Sequence, residues 1–239
     1  MAKPTAQEVA APKGGELARP AFMQGKGRGS ENVGFEDLTI PRLDLIQDLS
    51  PQRKKTEPEY IEGAEEGMMF NSVSKKLYGD NVTFIPVYFR KEYVIWKDRK
   101  KGGGFKGAYP TPEAAEAGMH DQDLNPEDHD IIDTAQHFGL LVDDHTSDKP
   151  VIEEIVLSLS KSKMKANRQI NTLARMAGGD RFERGYRLSS FTDENSNGDK
   201  FFNFKVTQLG FVSEAVFRAA EKVYESVVSG TKDVVRDGQ

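Results

Sequence analysis

The feature that constrains this chain most is a long β-prone run, "NVTFIPVYFRKEYVIWKD", which begins at Asn81. β-branched and aromatic residues dominate the run, and such residues favour extended strands. Pro86 has no N–H to donate to a strand ladder, so a bend or break is expected there. The run therefore predicts one long strand with an interruption near Pro86.

Further strands are predicted on both sides of this run. Leu38 and Ile40, followed by Leu43 and Leu45, have strand-like spacing, and "MMFNSVSKKLYG" indicates two short strands around a polar turn. "FGLLV" and "PVIEEIVLSLS" are predicted to be strands. "YRLSSFTDENSNGDKFFNFKVTQLGFV" has a Gly/Asn turn between two β-rich runs, which is typical of a hairpin.

Three helices are predicted between and after the strands. The clearest spans Lys161 to Ala177 and ends at the pair Gly178–Gly179. The last helix follows Ser213 as its N-cap, and a short helix in "TPEAAEAG" has Thr111 as N-cap and is expected to end before Gly118. "GGGFKG" is predicted to be a flexible loop, and "NPEDHDIIDTAQH" either a short helix or an acidic loop.

These elements predict an α+β chain that is mainly β, either an OB-fold-like small barrel or a curved antiparallel sheet, with flanking helices. Residues 1–34 are rich in Ala, Gly and Pro without a hydrophobic period, so disorder is predicted there. Residues 35–229 are expected to form a single domain with an acidic insertion at 113–149, followed by a flexible tail at 230–239.

Composition excludes several classes of site. The chain has no cysteine, which excludes disulfides, Cys-ligated zinc and a thiol nucleophile. No apolar run approaches the roughly 20 residues that cross a bilayer, and the N-terminal segment lacks the apolar core of a signal peptide. A soluble intracellular protein without membrane contact is therefore expected.

The net charge of −5 hides strong local segregation. Residues 90–106 carry seven basic and two acidic side chains, and residues 161–187 carry eight basic and two acidic ones. Residues 113–154 instead carry thirteen acidic side chains and one basic one. Because electrostatic fields follow local patches, the two basic segments and the acidic one decide which partners are attracted.

The first basic segment mixes cations with aromatic rings. If it is a strand, Tyr88, Arg90 and Trp96 share one face, with Phe89, Lys91 and Tyr93 on the other. Single-stranded nucleic acid binds such mixtures, since bases stack on rings while Lys and Arg contact phosphates. The alternative is a strand with core aromatics and solvated lysines. The predicted contacts in this segment are Tyr88, Arg90, Lys91, Tyr93, Trp96, Lys97, Arg99, Lys100, Lys101, Phe105 and Lys106.

The second basic segment forms a stripe on the predicted helix. Helical spacing places five residues on one side: Lys161, Lys165, Arg168, Thr172 and Arg175. The opposite side carries the residues expected to pack on the sheet: Ala166, Ile170, Leu173, Ala174 and Ala177. Like charges at this spacing repel, which favours a polyanion or an acidic segment opposite the stripe. An ordinary solvated helix face is the alternative.

The acidic segment contains all four histidines. His129, Asp133 and His137 would share a face if that region were helical, which raises the hypothesis of a divalent-metal site. A solvated acidic loop explains the same residues, so no metal, cofactor or catalytic residue is assigned. A further hypothesis is that this segment folds back on the basic surfaces and competes with nucleic acid.

Six sequence phrases occur in a characteristic order: "IPRLDLIQDLSP", "FNSVSKKLYG", "PVYFRKEYVIW", "GGGF", "LSLSKSKMKANRQINTLARMAGG" and "FFNFKVTQLGFVSE". In this order they resemble a family of tailed-bacteriophage single-stranded-DNA-binding proteins. The resemblance implies an OB-type barrel that binds single-stranded DNA during replication, recombination or repair, with no chemistry of its own. The C-terminal "SGTKDVVRDGQ" lacks the terminal aromatic through which many such proteins recruit partners.

The sequence interpretation is therefore non-catalytic binding of single-stranded DNA, with phage replication or recombination proteins and a second copy of the chain as further partners to consider. Three alternatives stay open: a single-strand annealing or recombination mediator, a metal-dependent nuclease that uses the histidines, and a protein-binding inhibitor whose acidic segment mimics DNA.

Overall fold

The computed structural model describes residues 40–229, except for the side chain of Arg99. The predicted disordered segment 1–34, the predicted tail 230–239 and Leu38 lie outside the described residues. Within them are nine strands and three α-helices: β1 Leu43–Leu45, β2 Met69–Asn71, β3 Leu77–Gly79, β4 Asn81–Lys97, β5 Phe105–Tyr109, α1 Pro112–Asp121, β6 His129–Val142, β7 Ile152–Ser160, α2 Met164–Ala177, β8 Arg184–Glu194, β9 Lys200–Phe211 and α3 Glu214–Val228.

The main sheet is antiparallel and six-stranded, and the long strand β4 lies at its centre. The strand order is β7–β6–β4–β8–β9, with β5 beside the second half of β4. β4 and β6 pair along almost their whole lengths, from Thr83 opposite Val142 to Lys97 opposite His129. The register shifts between Pro86 and Tyr88, so the interruption predicted at Pro86 is confirmed as a bulge.

Two different strands share the second edge of β4. β8 pairs with Asn81–Phe84, and β5 pairs with Tyr93–Trp96. The strand therefore continues beyond β8 and carries its basic half into a separate arm of the sheet. This arm consists of the second half of β4, the first half of β6, and β5.

The sheet curves around α2. Residues of α2 share one core with residues of β7 and β9, which are at opposite ends of the strand order: Leu157, Leu159, Ala166, Ile170, Phe204 and Val206. In a flat sheet β7 and β9 would lie about 19 Å apart, which is wider than the 10–12 Å diameter of a helix. One helix can contact both strands only because the sheet curves. The face that holds α2 is called the inner face.

The small sheet β1–β2–β3 connects the two edges of the main sheet. Val156 N–H of β7 donates to the Pro41 carbonyl at 2.8 Å. On the other side, the Gln47 side chain bonds both the N–H and the carbonyl of Phe202 in β9, at 2.8 and 2.9 Å. The predicted fold class is confirmed. Of its two alternatives the curved antiparallel sheet is correct, because the strand pairing of residues 40–229 does not close into a barrel.

The opposite, outer face of the sheet packs against α3. Val216, Ala220 and Val223 recur at helical spacing and are buried against Ile85 and Phe138 of the sheet. Ser213 accepts a hydrogen bond from Val216 N–H at 3.3 Å, as predicted for the N-cap. The last helix therefore begins where the sequence indicates and covers the sheet.

Three local predictions are wrong. Residues 125–137 are predicted to be a helix or loop, but from His129 onward they form β6, since β4 offers a full-length partner edge. The predicted loop "GGGFKG" contributes Phe105–Gly107 to β5. Gly118 lies inside α1, which continues to Asp121. The segment 113–149 therefore contains α1 and a central strand of the sheet.

Gly139 is predicted to be essential for the β4–β6 pairing. A Cβ added at Gly139 would collide with the Ile85 carbonyl oxygen and lie 2.5 Å from the Phe84 ring. Gly139→Ala should therefore lower the free energy of unfolding by about 2–3 kcal/mol, measured by urea denaturation. Gly210→Ala is the matched control, because its Cβ would meet only an ordinary contact at 4.0 Å. Equal stability of the two variants would contradict the prediction.

Candidate nucleic-acid interface

The predicted alternation of side chains along the second half of β4 is confirmed. Arg90 lies over the Phe138 ring, 5.2 Å from its centroid, on the outer face. Phe89 contacts the His137 ring at 5.1 Å on the inner face, beneath α2. The predicted contact residues of this segment are therefore divided between two opposite faces of the sheet.

Outer-face aromatics of the predicted set are engaged in packing. Tyr88 contacts Phe138 edge-on at 6.0 Å and Tyr224 of α3 at 6.3 Å. Trp96 is half-buried and contacts Phe105 of β5 edge-on at 5.8 Å. Arg90 forms an ion pair with Glu92 at 2.8 Å in the same region. These rings and this cation already have protein partners.

The cationic turn between β4 and β5 is attached to the start of β6. Lys101 forms an ion pair with Asp128, whose pKa is lowered by that contact. Asp98 N–H donates to the Asp128 carbonyl at 2.8 Å, and Asp98 in turn accepts from Lys100 N–H at 2.8 Å. Lys100 is exposed, whereas Lys97 and Lys106 are half-buried. The turn is thus held against acidic residues.

On the inner face Lys91 is also paired with an acid. Its Nζ lies 3.1 Å from Asp133 Oδ2 and 5.1 Å from the centroid of the Tyr93 ring. Hydrogen bonding to Tyr93 and to Asp133 raises the pKa of Lys91, so its charge is retained. Both members of the ion pair are close to half exposed, which leaves them accessible to solvent and ligands.

The basic stripe on α2 has a different environment. Its members are all exposed, as predicted, and none has a carboxylate within 4 Å among residues 40–229: Lys161, Lys165, Arg168 and Arg175. The helix predicted from Lys161 begins only at Met164, so Lys161 lies in the 3₁₀ turn that precedes α2. Ala166 and Ile170 are buried on the opposite side, also as predicted. Lys163 is not part of the stripe, because its Nζ lies over the Phe204 ring at 5.6 Å and burial lowers its pKa.

A buried polar network, which the sequence reasoning missed, fixes α2 on the sheet. His137 Nδ1 lies 2.9 Å from an Arg181 nitrogen, and His137 Nε2 lies 2.9 Å from Asn167 Oδ1. A guanidinium only donates, so Nδ1 accepts and Nε2 carries the proton. Asn171 bonds both Asn167 and Arg181, at 2.9 and 2.7 Å. The sequence did contain a signal for this network, because Asn167 and Asn171 are polar residues four positions apart on the side of α2 that faces the sheet.

The strand conformation of β6 rules out the metal site that the sequence suggested. His129, Asp133 and His137 lie on one extended strand, where eight residues span about 26 Å, so one ion cannot bind all three. The helical face assumed for them is wrong. Within the described part of the chain no group of three or more acidic or histidine side chains could hold a metal ion.

Two of the predicted segments meet on the inner face. Asp133, the partner of Lys91, lines a surface cleft of about 390 Å³ together with Lys161 and Met164 at the start of α2. The structure thereby brings together the residues that are here called the inner basic surface: Lys91, Tyr93, Lys161, Lys165, Arg168 and Arg175. Tyr88, Arg90, Trp96 and Phe105 are not part of it.

Residues 12–233 match the family model of the Pam3 phage gp34-like protein. The chain belongs to this family. The bacteriophage part of the resemblance found in the sequence is thus supported. No curated protein and no solved structure matches the chain. Among residues 40–229, no helix has the length and apolar character that crossing a membrane requires.

The buried histidine predicts a specific pH dependence of stability. Burial, and then the charge of Arg181, lower the pKa of His137 from 6.5 to about 3. The unfolded chain binds this proton below pH 6.5 while the folded chain does not. The stability contributed by neutral His137 is therefore complete above pH 6.5 and falls toward pH 3, by up to about 1.4 kcal/mol per pH unit.

His137→Gln should flatten the dependence of the unfolding free energy on pH in this window, as measured by urea denaturation between about pH 7 and about pH 4. His120→Gln is the control, because the His120 side chain is 92% exposed. The same slope in His137→Gln and in the unsubstituted protein would show that His137 is protonated in the fold.

Proposed function

We propose that this phage-family protein binds single-stranded DNA, without chemistry of its own, through the inner basic surface. The observation that carries the proposal is that α2 and the turn before it present four exposed cations, Lys161, Lys165, Arg168 and Arg175, with no carboxylate within 4 Å among the described residues. Elsewhere the predicted cations Arg90, Lys91 and Lys101 each have an acidic partner. A phosphate backbone supplies the anions that α2 lacks.

The geometry of α2 suits a flexible backbone. Lys165, Arg168 and Arg175 follow one line along a helix that rises about 1.5 Å per residue, so the three cations span about 15 Å. Neighbouring phosphates of an extended strand are several Å apart, so two or three of them reach this line at once. The buried network of His137, Asn167 and Arg181 holds the helix in place, which keeps the cations in register.

Base contacts would come from the inner-face side chains at the start of the helix. Met164 is half-buried in the cleft that Asp133 lines, and beside it Tyr93 packs partly on Ala115 and Met119 of α1, with its remaining surface and the Lys91 ammonium group facing the inner side. A splayed base can stack at such a site at about 1–3 kcal/mol, whereas a base inside a duplex cannot enter it. This feature favours single strands, and such binding has weak sequence preference.

Removing two cations from α2 tests the proposal. Lys165→Gln together with Arg168→Gln should weaken binding to labelled oligo-dT about tenfold or more near 0.1 M salt. The log–log salt slope should also become shallower, by about 0.7 for each phosphate that the variant no longer binds. Fluorescence anisotropy across a salt series measures both quantities.

The matched control is Lys205→Gln with Lys222→Gln, which removes the same charge from two exposed residues on β9 and α3. Equal losses of affinity in the two double variants would mean that only net charge matters. Strong quenching of Trp96 by oligo-dT would contradict the inner-face assignment, because Trp96 lies on the outer face with Phe105. No affinity at low salt would overturn the function itself.

The ion pair between Lys91 and Asp133 predicts an opposite effect. Asp133→Asn frees Lys91 and should tighten oligo-dT binding about threefold near 50 mM salt, with a salt slope steeper by about 0.7. Glu225→Gln is the control, since Glu225 is an exposed carboxylate on α3, away from the inner face, without an ion pair in the described residues. If both variants change the slope equally, Lys91 does not contact DNA.

The proposed setting is replication, recombination or repair of phage DNA in the host cytoplasm, alongside other phage replication or recombination proteins. The family match supports the phage origin that this setting requires. Binding in this proposal needs only ionic contacts along the backbone and stacking at the bases, so no residue of the inner basic surface is given a catalytic role.

A further inference from the structure

A second concave surface, on the inner side of the arm, has the opposite chemistry to α2. It is an open cleft of about 600 Å³ between α1 and the start of β6. Its apolar lining is Met119, Leu124, Pro126 and Ile131, and its polar lining is Glu116, His120, Asp123, His129 and Asp130. This surface is called the acidic cleft.

The acidic cleft lacks cations. No Lys or Arg lines it, and the sequence has none between Gly107 and Asp148. Glu116, Asp123 and Asp130 have no basic partner within 4 Å among residues 40–229. The nearby Asp128 and Asp133, by contrast, each hold a lysine.

His129, which lines the cleft, is held in place by Asn125. Its Nδ1 lies 2.9 Å from the Asn125 carbonyl oxygen, so Nδ1 carries the proton and donates it. Nε2 is then an acceptor, but the atom is shielded from solvent, so a ligand in the open cleft does not reach it. The three carboxylates and the apolar floor call for a ligand that brings positive charge and an apolar group.

The C-terminal half of α2 has that composition. Met176 is 78% exposed, although methionine is usually buried. Arg168, Thr172 and Arg175 are exposed on the same side of the helix, at positions four and three residues apart. These four residues form a ridge with two guanidinium groups and one apolar side chain, here called the α2 ridge.

We propose that the acidic cleft binds the α2 ridge of a second copy of the chain. Met176 would enter the apolar floor near Leu124, while Arg168 and Arg175 meet the carboxylates of the rim. Within one copy the ridge lies beyond the acidic cleft, because α2 begins beside Ile131, where Lys161 and Met164 line the smaller cleft, and its anchor at Asn167 already lies opposite His137, about 20 Å farther along β6. The contact joins two unlike surfaces, so repeated contacts build a closed ring, a paired dimer or an open chain of copies.

Charge complementarity selects this occupant over nucleic acid. Three carboxylates repel a phosphate backbone, whereas they attract the guanidinium groups of a second copy. The apolar floor needs a side chain of substantial volume, which a simple polyamine does not provide and Met176 does. Because the same ridge belongs to the inner basic surface, a copy bound in the cleft would compete with DNA for α2.

A charge exchange tests the contact with protein alone. One variant reverses the cleft, Glu116→Lys, Asp123→Lys and Asp130→Lys, and the other reverses the helix, Lys165→Glu, Arg168→Glu and Arg175→Glu. Sedimentation velocity near 50 mM salt should show assembly of the unsubstituted protein that dissolves near 500 mM salt. Each variant alone should be monomeric, and an equimolar mixture should assemble again, because each reversed surface then meets its complement.

Two further variants keep the test specific. Glu59→Lys with Glu62→Lys and Glu65→Lys makes the same charge change on exposed residues outside the cleft, and this control should still assemble. Met176→Ser should weaken assembly about tenfold, and since Met176 is exposed the fold should be unaffected.

A monomeric protein near 100 µM at low salt would overturn the proposal, as would a mixture of the two reversed variants that stays monomeric. Assembly that appears only when oligo-dT is added would also overturn it, because DNA and not the cleft would then bridge the copies. None of these readouts depends on DNA affinity, so failure of the contact and failure of the proposed function are distinguishable.

Discussion

The antiparallel pairing of β4 with β6 is the constraint on which the rest of this structure depends. It places the most aromatic and basic strand beside the strand that runs through the acidic segment, from Thr83–Val142 to Lys97–His129. Side chains that are neighbours on one face of two paired strands contribute about 0.2–1 kcal/mol per pair, so opposite charges there form ion pairs. Lys91 with Asp133 and Lys101 with Asp128 follow directly from this pairing and the adjoining turns.

The consequence is that positive charge in the linear sequence is not equivalent to positive charge available to a ligand. In the segment with the most aromatic residues and cations, Arg90, Lys91 and Lys101 each have an acidic partner, whereas the exposed cations of α2 have none within 4 Å among the described residues. The hypothesis that acidic residues compete for the basic surfaces therefore has a structural counterpart in individual ion pairs within the sheet. These pairs lie on the protein surface, where such contacts are weak enough for a polyanion to displace them.

α2 can present its cations because its other side is tightly held. Ile170 and Ala166 are buried in the inner core, and Asn167 hydrogen-bonds a histidine that is fully buried in β6. An ordinary apolar contact would allow the helix to slide or rotate, whereas a satisfied polar network has few alternative arrangements. The proposed use of the same helix for DNA and for a second copy depends on this fixed orientation.

Local sequence determined the elements whose signal is local. The long strand with its interruption at Pro86, the hairpin β8–β9, the helix that ends at Gly178 and the Ser213 cap all follow from side-chain shape and backbone chemistry. The alternation along β4 and the exposed stripe of α2 also followed, because strand and helix periods are fixed by geometry.

Only the tertiary structure decided how these elements meet. Residues 129–137 have no strong propensity of their own and become a strand because β4 offers an edge of matching length. The neighbours that Tyr93 and Trp96 meet on their opposite faces depend on the positions of α1, α2 and β5. Lys91 has an acidic partner because the fold brings Asp133 beside it, whereas the cations of α2 have no carboxylate that close among the described residues. Contacts between residues distant in sequence are not encoded by any local sequence pattern.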